Sequence, residues 1–105
     1  MIFVYDIMNN LQKKYNFDKL TFKLSSQEPF CVIASLKPEQ IETYSKIAPK
    51  LTVLINQAEN DVRGKLNLRC QDIPKTKYVY QGKELKISGD PNVIEILLNK
   101  IFSKN

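Results

Sequence analysis

Histidine is absent from this chain of 105 residues, and that one absence removes most hydrolytic chemistry. Serine, cysteine and metal-dependent hydrolases rely on imidazole as base or ligand. The two cysteines, Cys31 and Cys70, cannot supply the four-ligand set of a structural zinc site. With no obvious base to ionise either thiol, a nucleophilic role is not expected. Both fall in stretches that read as strands and are expected as core thiols of a reducing compartment, the alternative being a disulfide between neighbouring strands. Glycines number only three. Gly64-Lys65 and Gly82-Lys83 lack the following Ser or Thr and the upstream glycine of a phosphate loop, and there is no glycine-rich dinucleotide turn. The 11 acidic residues are scattered over predicted helix surfaces and read as solvated faces. Neither an enzyme, a cofactor nor a metal is expected.

Long apolar runs are also missing. Nothing approaches the ~18 residues of a membrane span. Met1-Ile2-Phe3-Val4-Tyr5 is apolar but lacks a basic flank and is interrupted by Asp6, so no secretory leader is expected and the location expected is cytoplasmic. Arginine is scarce as well, Arg63 and Arg69 alone, so the net charge of +5 rests on lysine. In a chain also rich in Asn and Ile, that surplus reflects composition bias as readily as selection for a polyanion.

What is present is the patterning of one ordinary globular domain over residues 1–105, with 43% apolar and 26% charged residues. The stretch from Lys37 to Val62 organises it. Ile41, Tyr44, Ala48, Leu51, Ile55, Ala58 and Val62 step by threes and fours, which lines one face of a helix. Pro38 suits the first helical position, and Glu39 and Glu42 suit the positive end of the helix dipole. Pro49 lacks the N–H that would bond Ser45, so the helix is expected to kink or break there while keeping its apolar phase.

Before this stretch, Val4, Ile7, Met8, Leu11 and Tyr15 form the stripe of a helix over residues 2–15, the alternative for the apolar first five residues being a short strand. Lys19 to Ser25 alternates, with Leu20, Phe22 and Leu24 inward, as a half-buried strand. Phe30 to Ala34 is continuously apolar and pairs with it as a hairpin. After it, Lys65 to Cys70 alternates again and predicts a further strand. Thr76 to Tyr80 and Glu84 to Ser88 form a last hairpin around Gly82. Asp90-Pro91 starts a final helix as N-cap and first helical residue. The fold expected is α+β and two-layered, with three helices on a mainly antiparallel five-stranded sheet, in the order α-β-β-α-β-β-β-α.

Two surfaces suggest a function. The last helix is apolar around most of its circumference, far beyond the ~100° stripe of a helix laid on a sheet. It must be wedged between the sheet and another helix or shared with a partner. The leading expectation is a non-catalytic protein-interaction or regulatory module, self-associating or partner-binding through Ile94, Leu98, Ile101 and Phe102. The alternative is nucleic-acid binding on a basic sheet face carrying Lys23, Lys65, Arg69, Lys77 and Lys86. Tyr78 and Tyr80, two apart on one strand, would stack bases there if they point outward. Alternation favours packing them inward, with Lys75 and Lys77 on the solvent side.

Overall fold

The computed structural model of the protein describes residues 2–66 and 73–103. Helix α1 (Ile2–Tyr15) leads through a tight turn into strands β1 (Lys19–Lys23) and β2 (Phe30–Ser35). Helix α2 (Pro38–Ile47), a 3₁₀ turn (Ala48–Lys50) and helix α3 (Leu51–Leu66) follow, then strands β3 (Lys77–Gln81) and β4 (Glu84–Gly89) and helix α4 (Pro91–Phe102). The central apolar stretch is therefore two helices, broken by a single 3₁₀ turn that holds Pro49. Because that turn is short, Tyr44, Leu51, Ile55, Ala58 and Val62 all stay buried on one side.

Among the described residues the sheet has four strands, in the order β1-β2-β4-β3 and antiparallel throughout, which corrects the expected five. Lys65 and Leu66 complete α3 rather than open a strand, and residues 67–70 lie outside those described. The physical reason is an ambiguity of period. Leu66 continues the four-residue steps of Ala58 and Val62 as readily as it begins the alternation with Leu68 and Cys70. Gly64, which suggested a helix exit, sits inside α3 with open space around it. A helix tolerates one such glycine at about 1 kcal/mol.

Helix α4 is the centre of the molecule. It packs against α1, α2, α3 and β4. Val93, Ile94, Leu97 and Leu98 are wholly buried, and Ile101 and Phe102 nearly so. Its start is held as expected, with Asp90 accepting the backbone N–H of Asn92 at 2.8 Å and of Val93 at 3.4 Å. The two-sided burial demanded by its composition is thus met inside the chain. Ile94, Leu98, Ile101 and Phe102 are core residues, and the expectation of an exposed binding face on this helix is corrected.

Gly89 closes β4 opposite Phe30 at φ +148°, a conformation L residues rarely adopt. A Cβ there would meet Cα and Oγ1 of Thr76, each at 3.3 Å. Gly89→Ala should therefore lower stability by about 1–3 kcal/mol. The same change in the open helix, Gly64→Ala, should raise it by about 0.4–1 kcal/mol. Urea denaturation of the two variants checks both signs.

Candidate functional site

All four helices lie on one side of the sheet, the side on which the larger apolar residues of the strands meet. Leu20, Phe22, Val32, Ala34, Leu85 and Ile87 point to the helices as cross-strand neighbours. Strand register then fixes the other face as three rows. Lys23, Cys31, Ser88 and Lys77 make the first, and Thr21, Ile33, Lys86 and Val79 the second. Lys19, Ser35, Glu84 and Gln81 make the third. With strands about 4.8 Å apart, the face is about 14 Å wide between its edge strands.

Among the described residues this face carries Lys19, Lys23, Lys77 and Lys86, all exposed, against the carboxylate of Glu84 in its three rows. Among the described residues none of the four lysines is ion-paired. Between them lie half-buried Ile33 and Val79, which is 59% exposed. Lys23 and Lys86 also flank a cleft of about 230 Å³ over Cys31 and Ser88, which Glu28 lines from the preceding loop. Cys31 is a buried free thiol.

The residues expected on a basic face are only partly brought together. Lys23, Lys77 and Lys86 share it, whereas Lys65 belongs to α3 and Arg69 lies outside the described residues. Tyr78 and Tyr80 oppose Ile87 and Leu85 and so point to the helix side. Tyr80 stacks on Tyr44 of α2, ring centroids 4.5 Å apart. Burial pushes the Tyr44 phenol above its ordinary range, and the Tyr78 and Tyr80 phenols add to the effect. Among the described residues the open face thus has no aromatic platform. Lys19 and the apolar pair Ile33 and Val79 were missed as site residues. Lys19 could have been found from its alternation with Leu20, but continuous apolarity in β2 hides which side Ile33 takes.

Two larger clefts border the helices. A groove of about 480 Å³ runs between α3 and β3, lined by Thr52, Ile55, Asn56 and the start of β3. At its end the buried Glu59 carboxylate accepts the Thr76 N–H at 3.0 Å and anchors the entry to the strand. The other, of about 560 Å³, lies where α1, α2 and α4 meet and is lined by Lys14, Tyr15, Glu39 and Gln40. There the Tyr15 hydroxyl donates to Asn99, and Gln40 donates to the Tyr15 carbonyl at 2.7 Å. These contacts brace helix ends and bring no base next to a nucleophile.

Among the described residues no helix is long and apolar enough to cross a membrane, and no group of three or more carboxylates or thiols could hold a metal ion. Compared with protein-family models, curated proteins and solved structures, the chain matches none.

Proposed function

We propose that this chain is a non-catalytic interaction module that receives an acidic protein surface on the open face of its sheet. The observation that carries this is the anatomy of that face. In its middle row Ile33 and Val79 flank Lys86, with Lys19, Lys23 and Lys77 in the rows on either side and Glu84 beside them. Protein interfaces likewise combine apolar contacts with charges that steer the partner. Nucleic acid is the weaker reading. The tyrosines turn away, and the face as described offers compact ammonium charges rather than the planar guanidinium forks that suit phosphate.

Charge reversal tests it. In the native cell, a Lys23→Glu/Lys86→Glu chain should lose a protein that the unaltered chain retains, with its own denaturation midpoint unchanged. Reversing acidic residues of that protein should restore the complex. Nucleic acid that co-purifies with the unaltered chain and is lost with the double variant would overturn the proposal. On single strands its binding would weaken with salt at a log–log slope of about −0.7 per phosphate contacted.

A further inference from the structure

From the edge of the sheet, we infer that β3 pairs with the β3 of a second copy of this chain to make one continuous eight-stranded sheet. A β-hairpin with a two-residue loop joins β3 to β4, and Gly82 opens it at φ +64°. Such a loop makes the flanking residues, Gln81 and Glu84, a hydrogen-bonded pair. Alternation then turns the backbone groups of Lys77, Val79 and Gln81 toward β4, and those of Tyr78 and Tyr80 outward. The bond from the Leu36 N–H to the Lys83 carbonyl, 2.8 Å, agrees with this alternation on the far side of β4. Among the described residues no strand lies beyond β3.

Sheet edges are ordinarily guarded against such pairing by charge, proline or bulges. The two edges of this sheet differ in how they would meet themselves. If β1 paired antiparallel with a second β1 about Thr21, Lys19 would stand opposite Lys23 at both ends, a like-charge contact that opposes pairing. If β3 pairs about Val79, Lys77 stands opposite the neutral Gln81, Tyr78 opposite Tyr80, and Val79 opposite Val79. Two pairs further out, Lys75 meets Lys83, whose ammonium already lies 3.6 Å from Asp18. Beside the strand, Thr52 and Asn56 of α3 line the groove together with Glu59, Lys75 and Lys77, and Val53 on α3 is 55% exposed. In a chain of net charge +5, a second copy is accepted more readily where fewer like charges stand directly opposed, and of the two edges that is β3. The outward groups of Tyr78 and Tyr80 would make four backbone hydrogen bonds across the two-fold axis.

Sedimentation over two decades of concentration, up to millimolar, should show a reversible species of twice the chain mass. Proline at an edge position with its N–H outward removes a donor without breaking the ladder to β4. Tyr78→Pro should therefore give a folded monomer, while Tyr78→Ala, which keeps the N–H, should still dimerise. In a background with Cys31 and Cys70 replaced, Val79→Cys should oxidise to a disulfide-linked dimer, because opposed residues of this kind lie about 4.5 Å apart between Cα atoms. Val53→Cys should not. Lys23→Glu/Lys86→Glu should leave the dimer mass unchanged, which separates this pairing from the partner face. A monomer at every concentration, or a dimer that survives Tyr78→Pro without a Val79→Cys crosslink, would overturn the inference.

Discussion

Leu98→Lys should abolish the cooperative urea unfolding transition of this chain. Leu98 is wholly buried in the middle of α4, the helix that touches all three others and β4. Removing its side chain leaves a cavity, which at such a site costs about 2–5 kcal/mol. The ammonium adds several kcal/mol of desolvation, or must lose its proton, since the helix is surrounded by apolar side chains. A domain of this size holds about 5–15 kcal/mol in total, so the sum reaches its whole stability. Circular dichroism through a urea titration reads the outcome. A folded Leu98→Lys chain with an unshifted midpoint would mean that α4 is a surface helix after all. Leu98→Ala, at about 2–5 kcal/mol, gives a measurable shift if the lysine variant cannot be purified.

Phe17→Ala should lower stability by about 3–5 kcal/mol, with the denaturant slope unchanged. Phe17 lies in the three-residue connection between α1 and β1, yet it is only 1% exposed. Its ring stands edge-on to Phe102 at 5.3 Å and tilted to Tyr15 at 5.9 Å. Aromatic pairs of this geometry contribute about 0.5–1.5 kcal/mol beyond their area. Asn16 takes φ +53° to end α1 and turn the chain, and the Phe17 carbonyl accepts the Gln12 side chain at 2.9 Å. The turn is thus a plug that ties the end of α1 to the end of α4. A loss under about 1 kcal/mol would show that the site collapses around the missing ring.

Several elements were legible because a local rule decided them. The stripe from Val4 to Tyr15 has the three-and-four spacing of a helix, and α1 spans Ile2–Tyr15 as expected. The alternation of Lys19 to Lys23 fixes which residues of β1 face the helices. Asp90-Pro91 is a capping pair whose geometry needs nothing from the rest of the fold. Pro49 breaks the central helix through a missing donor, and Gly82 opens the hairpin through its freedom at positive φ.

Other features depended on what each surface meets in space. The composition of α4 required burial on two sides, but whether those sides belonged to the same chain or to another was a matter of tertiary packing. Here α1, α2, α3 and the sheet supply them all, so Ile94, Leu98, Ile101 and Phe102 became core. Leu66 obeyed two periods at once, and only the continuation of α3 chose between them. Lys65 left the sheet face for that reason. Lys19, Lys23, Lys77 and Lys86 come from three strands and became one surface only through the order β1-β2-β4-β3, which no local pattern encodes. Local sequence determines backbone conformation and which side of an element is apolar. The partner of that side is set by the global arrangement that buries the most apolar surface without stranding a charge.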